Sequence, residues 1–325
     1  MGFLETYLQC GVMNTFMKSE YIQPDKDVLK EKGATHVVVG APFEMCCIYR
    51  PGTGFGPQAI RRASEQFMTY NFDLDIDIAD YLNLYDAGDA DMIPGNVAKS
   101  HLNIKNAVGE IFAAGATPIL LGGDHSVPIP AVNGIMEHFK GGKLGLVMFD
   151  THMDTADTYA GEKVSNCTNN ARFIERGIME GKNIAHIGIR GCLNPKVEWE
   201  FAKEQGITVF TSRDVRKSGI DHVIARALEI AGDGTDGIYV SVDIDCLDPA
   251  YGPGTCAPDP TGLTSWELVD ACKEIGLDPN VIAFDVCEVA PQYDVGEITA
   301  RVACRAIAEY LGGVALRKRG ERGDE

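Results

Sequence analysis

Three short clusters of carboxylates and imidazoles carry the chemistry of this chain: GGDHS at 122–126, DTHMD at 150–154 and SVDID at 241–245. Together they supply six donors, His125, Asp150, His152, Asp154, Asp243 and Asp245. Six oxygen and nitrogen ligands are about what two divalent cations need when some carboxylates bridge. A paired centre of that kind ionises water near neutral pH, so the chemistry in view is hydrolysis by hydroxide. Hard carboxylates with imidazole, and no thiolate in the set, favour Mn(II) and tolerate Ni(II), Co(II) or Fe(II); structural zinc is disfavoured.

Each cluster closes an apolar run, and the runs are the elements that must position it. THVVVGAPF (35–43), ATPILLGGD (116–124), KLGLVMFD (143–150), NIAHIGIRG (183–191), GITVFT (206–211), GIYVSVDID (237–245) and VIAFDVCEV (281–289) read as buried strands. They are β-branched, nearly continuous in apolar residues and bounded by Gly or polar residues. Helical patterns fall between them at 56–67, 97–115, 221–232 and 265–276, the last with Ser265 as its N-cap. Strand–helix alternation predicts a parallel sheet covered on both faces, a three-layer α/β/α fold. Ligands then gather at the carboxyl ends of the strands, where the strand order reverses. Asp243 and Asp245 are two apart, as are Asp150, His152 and Asp154. In extended backbone, that spacing aims each set to one side.

Each cluster also has an ordinary reading. Asp124 could cap a helix, DxHxD could be a solvated loop, and Asp243 with Asp245 could cap a strand end. Three such clusters at strand ends in one chain argue against coincidence, because so many acids crowded together repel one another without cations. Of the other histidines, His186 reads as a satisfied core residue, and His36, His101, His138 and His222 as surface residues.

The 325 residues carry 29 Lys and Arg against 47 Asp and Glu, a net charge of −18. Nucleic acid and anionic membranes are therefore poor partners, whereas a cationic substrate suits the field. The ten cysteines are scattered and form neither a disulfide framework nor a CxxC site. The start shows no basic segment leading an apolar one, and no run is long enough to span a bilayer, so an intracellular, cytoplasmic protein is expected. Residues 1–30 read as an N-terminal extension able to pack on a neighbouring subunit, residues 31–325 as one catalytic domain, and the tail 317–325 as frayed.

The motifs RPGTGFGPQAIRRAS (50–64), LGGDHS (121–126), FDTHMDTAD (149–157), SVDIDCLDPAYGPGTCAP (241–258) and DVCEVAPQYD (285–294) span most of the chain. It resembles the ureohydrolase superfamily of arginase, agmatinase and their guanidino-acid-cleaving relatives, most closely the agmatinase-like branch. The resemblance implies a central, mostly parallel eight-stranded sheet and a trimeric or hexameric homo- or hetero-oligomer. It also implies His125 and Asp154 on one metal, His152 and Asp245 on the other, and Asp150 and Asp243 bridging both. A metal-bridging hydroxide would attack the guanidinium carbon. Asp154 would pass its proton to the departing amine, and Glu288 would hold the guanidinium.

The chain departs from the family around the pocket. Asn166, Cys167 and Thr168 stand where His-Gly-Thr is usual, and Cys256 and Ala257 where Gly and Thr are common. Glu44 and Met45 replace Asp and Gly, and Thr151 replaces Ala. All six metal ligands are spared, a pattern that fits altered substrate choice better than lost catalysis. Asn166 and Thr168, with Asn169 and Asn170, are expected to form a neutral substrate-binding rim. The expected substrate is a small cationic guanidine compound, preferably guanidine or a biguanide such as metformin, which would give dimethylamine and guanylurea. Agmatinase or guanidinobutyrase activity is the alternative within the class, with Mn2+ or Ni2+ as cofactor. A non-catalytic subunit of a hetero-oligomer is the alternative outside it.

Overall fold

A computed structural model describes residues 14–323. Its main sheet contains β1 (Glu20–Tyr21), β2 (His36–Gly40), β5 (Leu84–Asp89), β6 (Thr117–Leu121), β7 (Leu144–Phe149), β8 (Ile184–Ile189), β9 (Thr208–Thr211), β10 (Gly237–Asp243) and β11 (Val281–Cys287). The order is β1-β5-β2-β6-β11-β10-β7-β8-β9, and every pairing is parallel. A two-stranded antiparallel ribbon, β3 (Tyr70–Asn71) with β4 (Ile76–Asp77), lies apart. Nine strands rather than eight result because β1, two residues long, adds an edge beside β5. The helices are α1 (Lys26–Glu31), α2 (Gly56–Ser64), α3 (Val97–Ala113), α4 (Pro128–His138), α5 (Asn169–Glu175), α6 (Lys196–Gln205), α7 (Ser212–Ser218), α8 (Ile220–Gly232), α9 (Ser265–Leu277) and α10 (Ile298–Arg322).

Strand side chains alternate between two cores, as a period of two requires. Val38, Ile119, Val147, Phe149, Val240 and Phe284 enter one core with α2, α8, α9 and α10. Val37, Val39, Leu120, Leu146, Met148 and Tyr239 enter the other with α3 and α4. Both faces are covered, so the strands must be apolar throughout, and this made seven of them legible.

β5 escaped that reading because its sequence, LYDAGD, is half polar. Asp86 is fully buried there and receives Arg61 of α2 through Nε at 2.8 Å and Nη2 at 2.9 Å. Paired ionic hydrogen bonds offset the desolvation that a lone buried acid would suffer. Residues 14–30 lie on this chain itself: the Phe16 N–H donates to Asp86 at 2.7 Å, and the Met17 N–H to Ser64 at 2.8 Å. Residues 1–13 of the expected extension fall outside the described residues.

Several local expectations are corrected. The N-cap of α9 is Thr264, not Ser265: it exchanges hydrogen bonds with Glu267 in a capping box. The tail is helical to Arg322 rather than frayed from 317, because polar contacts carry α10 past its apolar stripe: Arg317 pairs with Glu321 at 3.0 Å, and Arg319 and Arg322 donate to the carbonyls of Asp75 and Asp80 at 3.1 and 3.2 Å; residues 324–325 fall outside the described residues. His36 is buried, edge-on to Tyr310, and His101 is half-buried against Phe43. His186 is buried as expected but not satisfied: neither ring nitrogen has a hydrogen-bond partner among the described residues.

Candidate active site

The chain runs from β6 to β7, yet these strands are not neighbours, because β10 and β11 are inserted between them later. The order β6-β11-β10-β7 is thus the switch point of the sheet, where adjacent connections diverge and leave a crevice. His125 follows β6, Asp150 follows β7, Asp243 ends β10 and Glu288 follows β11. Four adjacent strand ends therefore deliver the predicted residues to one place.

The six predicted ligands converge. His125 Nδ1 lies 3.1 Å from Asp150, 3.0 Å from Asp154 and 3.3 Å from Asp243. His152 Nδ1 lies 3.3 Å from the other Asp150 oxygen and 3.1 Å from Asp245. Asp150 thus faces both imidazoles, one through each oxygen. Two ligand groups result: His125 with Asp150 and Asp154, and Asp150 with His152 and Asp245.

The backbone achieves this differently from the extended segments expected. β10 stops at Asp243, and Asp245 sits in a 3-10 turn whose N–H donates to Asp243 at 2.8 Å. Residues 150–154 are likewise bends beyond β7, with Asp154 at φ +48°. Glu288 stands at φ +64°. Left-handed backbone costs a non-glycine residue about 1 kcal/mol or more, and both outliers fall in the site. Asn170 restrains the first of them, donating its side-chain N–H to the carbonyls of Met153 and Asp154 at 3.2 and 3.1 Å. Asn169 donates to the carbonyl of His125 at 3.0 Å. The hydroxyl of Thr168 donates to loop carbonyls, and Thr168 is fully buried. Of the expected neutral rim, only Asn166 therefore lines the cavity; Thr168, Asn169 and Asn170 hold the walls instead.

The donor set fits two divalent cations. His125 Nδ1 and one Asp150 oxygen are buried without a hydrogen-bond partner among the described residues. Burial opposes charge on His125, but Asp150, Asp154 and Asp243 overcome it and raise its pKa well above the usual imidazole range. Asp243 is pushed up by burial and then by Asp245 and Asp150. Asp154 is pushed up to about 7 by burial and Asp150. Acids forced to keep protons, and an imidazole forced to take one, mark a cluster short of positive charge.

Sequence reading missed the supports behind it. His125 Nε2 meets Ser241 Oγ at 2.9 Å, and Ser241 donates onward to Asp285 at 2.8 Å. An Asp inside the apolar run VIAFDVC was the available signal. Glu198 of α6 was missed as well: it accepts the Thr155 N–H at 3.2 Å, and burial raises its pKa.

Above the cluster opens a cavity of about 840 Å³. Its lining includes the carboxylates of Asp154, Asp157, Glu198, Asp243, Asp245 and Glu288, and neither Lys nor Arg. Two cations near the Asn166 loop neutralise one lining acid: Asp157 pairs with Arg172 at 2.7 Å and lies 3.5 Å from Lys163, which also pairs with Glu175 at 2.7 Å. The side walls are apolar, with Ile48, Tyr49, Leu193, Val197 and Phe201. Glu288 accepts the His125 N–H at 2.8 Å and the Asn166 amide at 3.4 Å on one oxygen; its other oxygen is buried without a hydrogen-bond partner.

A sequence model of the arginase family matches residues 34–312. The mitochondrial agmatinase of Gallus gallus is 35% identical over 283 residues, covering 86% of this chain and 81% of that protein. Among solved structures, the proclavaminate amidino hydrolase of Streptomyces clavuligerus superposes with a TM-score of 0.83 at 32% identity, covering 94% of this chain and 98% of that one. The formiminoglutamase of Trypanosoma cruzi, solved with two Mn2+ ions, gives a TM-score of 0.82 at 25% identity, covering 91% and 100%.

Proposed function

The chain belongs to the arginase family and is an amidinohydrolase acting on amidino C–N bonds, and from that premise we propose that its substrate is a guanidine-type cation without a carboxylate. The observation that carries this reading is the lining of the cavity outside the metal ligands: Glu198 and Glu288, apolar walls, and neither Lys nor Arg. A guanidinium entering such a space is attracted along its path, whereas a carboxylate tail meets like charge with nothing to pair with. Guanidinobutyrate and the other guanidino acids are disfavoured on that ground.

His125 and Asp154 would hold one cation, His152 and Asp245 the second, with Asp150 and Asp243 shared. Bound there, the cations would supply ionised water at neutral pH and neutralise charge developing on the substrate. Everything else falls to the protein. The free oxygen of Glu288 accepts guanidinium N–H groups and fixes the planar carbon toward the metal ligands. Asn166 holds the neighbouring oxygen of Glu288 in place. Asp154, which lines the same cavity, would take a proton and return it to the departing amine. The apolar walls exclude water from the alkyl substituents of the substrate.

A biguanide with small N-alkyl groups, such as metformin, is the preferred substrate, with guanidine next. It matches apolar walls with acids at the base, and Asn166 adds no titratable group where the family has histidine. Agmatine is the second reading: Glu198, a cavity-lining acid with no Lys or Arg beside it in the lining, could receive its distal ammonium. The oxygen–nitrogen donor set supports Mn2+, with Ni2+ as the alternative. A homo- or hetero-oligomer is expected.

The test incubates purified protein, loaded with Mn2+ or Ni2+, with agmatine, guanidine, guanidinobutyrate and a dimethylbiguanide. Urea and guanylurea are assayed, with metal content and particle mass. Turnover confined to the carboxylate-free cations is expected. Preferential cleavage of guanidinobutyrate would overturn the reading, and turnover of agmatine alone would select the second one. A chain inert by itself, in a complex whose activity survives Asp150→Asn here, would make this a non-catalytic subunit.

A further inference from the structure

Two cysteines 209 residues apart in the chain meet beside the cavity, which Cys256 lines: the sulfurs of Cys47 and Cys256 are 2.9 Å apart. The contact is built by the fold. Cys47 lies in the irregular segment after β2, and Cys256 in the loop after β10. Arg50 ties these loops together, donating to the Thr255 carbonyl from Nε at 2.9 Å and from Nη2 at 2.7 Å, with its guanidinium 4.0 Å over the Tyr293 ring. Glu44 fastens the other end of the first segment by accepting the N–H groups of Gly52 and Gly54 at 2.8 and 3.1 Å.

The third member is Glu288. Its ligand oxygen and the two sulfurs all lie within 4.8 Å of one another. Glu288 is 2% exposed, and its second oxygen has no hydrogen-bond partner among the described residues. The hydrogen bond with Cys256 also lowers the pKa of the Cys47 thiol, while the partner thiol rises.

We propose that Cys47, Cys256 and Glu288 form a separate site for a thiophilic divalent cation of the Zn(II) class, beside the hard-ligand centre. Two sulfurs, one carboxylate oxygen and an open cavity side for water are a four-coordinate zinc environment with one exchangeable position. Ligand softness separates the two sites: His and Asp take the hard cations, and the thiolates take the soft one. With Zn–S bonds of about 2.3 Å, tetrahedral geometry sets the sulfurs about 3.8 Å apart. The half-exposed Cys47 must therefore swing outward by about 1 Å. Binding releases the two thiol protons to solvent through the cavity and changes no oxidation state. Occupancy takes the Glu288 oxygen that guanidinium needs, so the cation excludes substrate. This last consequence rests on the substrate reading above; the binding itself does not.

The test uses the Mn2+-loaded full chain, reduced with a phosphine and desalted, with Cd2+ as the spectroscopic probe. Saturation of the ultraviolet thiolate-to-cadmium band at one equivalent per chain is expected, with displacement by Zn2+. Cys47→Ser and Cys256→Ser should each weaken uptake at least tenfold, and Cys47→Ser should raise the Zn2+ concentration that halves turnover by a similar factor. In the unmutated protein, Zn2+ should slow alkylation of Cys47 by iodoacetamide at least tenfold, read by peptide mass. A wild-type chain with no band, an undiminished band in the double variant, or no protection of Cys47 would overturn the site. So would a Cys47–Cys256 disulfide that survives the phosphine and takes up no cadmium. Cadmium uptake needs no turnover, so an inert chain with the band intact would count against the substrate reading and leave this site standing.

Discussion

In the proposed reading, Glu288 would couple substrate to catalyst most directly. One oxygen is committed to the His125 backbone and the other is free; burial holds its pKa well above the usual carboxylate range, so an arriving guanidinium would draw out its charge. Glu288→Gln keeps the shape, and its carbonyl can still accept the His125 N–H, but the charge is gone. Loss of a charge-assisted contact costs about 1.5–3 kcal/mol. We expect kcat/KM to fall roughly 10- to 150-fold, with metal content unchanged by elemental analysis. Co-loss of metal would instead make Glu288 a support of the centre. Asn170 acts at one remove. Truncation in Asn170→Ala strands the carbonyls of Met153 and Asp154, whose left-handed turn aims the Asp154 carboxylate. Outer partners of metal ligands are worth about 10- to 100-fold in affinity or activity, and a loss in that range is expected, read by metal titration and kcat.

At the scale of elements, the turn after β6 makes the closest backbone-to-backbone approach of any glycine among the described residues. A Cβ placed on Gly123 would stand 1.8 Å from the Phe43 carbonyl oxygen and 2.6 Å from its nitrogen. The two segments are stitched there: the Asp124 N–H donates to Phe43 at 2.7 Å, and the Glu288 N–H to Gly123 at 2.8 Å. Neither backbone can retreat without breaking a bond that positions His125 or Glu288. Gly123→Ala is expected to destabilise by about 3 kcal/mol, the upper range for overpacking, read as a lower urea midpoint with activity falling in parallel. Full stability in this variant would contradict the close approach. The motif GGDHS is therefore a packing signal as much as a ligand signal, although only His125 of the five was read as touching metal.

For the whole molecule, acid is the expected weakness, and its source lies outside the metal site. Burial, with Lys318 and Arg317 adding to it, pushes His36 down to about 3, and burial with Arg176 pushes His101 down to about 4. At these two positions the folded chain thus binds fewer protons than the unfolded one, whose histidines titrate near 6.5. Their contribution to stability is full above pH 6.5 and is lost as pH falls toward 4, by about 2 kcal/mol per histidine at pH 5. His36→Gln should flatten the difference between urea midpoints at pH 7 and pH 5 relative to the parent. Both proteins lose metal alike on acidification, so the comparison isolates the histidine. No helix among the described residues is long and apolar enough to cross a membrane.

The sequence by itself determined the parallel sheet, seven of its strands, the six clustered ligands and the chemistry they imply. Each was written in local terms: an apolar run, a residue type, a spacing of two. It could not reveal β5, whose polar residues are tolerable only because Arg61, 25 residues earlier, reaches Asp86. Nor could it separate Asn166, which lines the cavity, from Thr168, Asn169 and Asn170, whose polar atoms turn inward to the backbone. The buried histidines, the Ser241–Asp285 support and the Cys47–Cys256 contact joined residues from distant segments in the same way. Tertiary structure decided these because burial and hydrogen-bond partnership depend on which distant backbone is adjacent. Periodicity along a chain records only which face a residue takes, not what stands opposite.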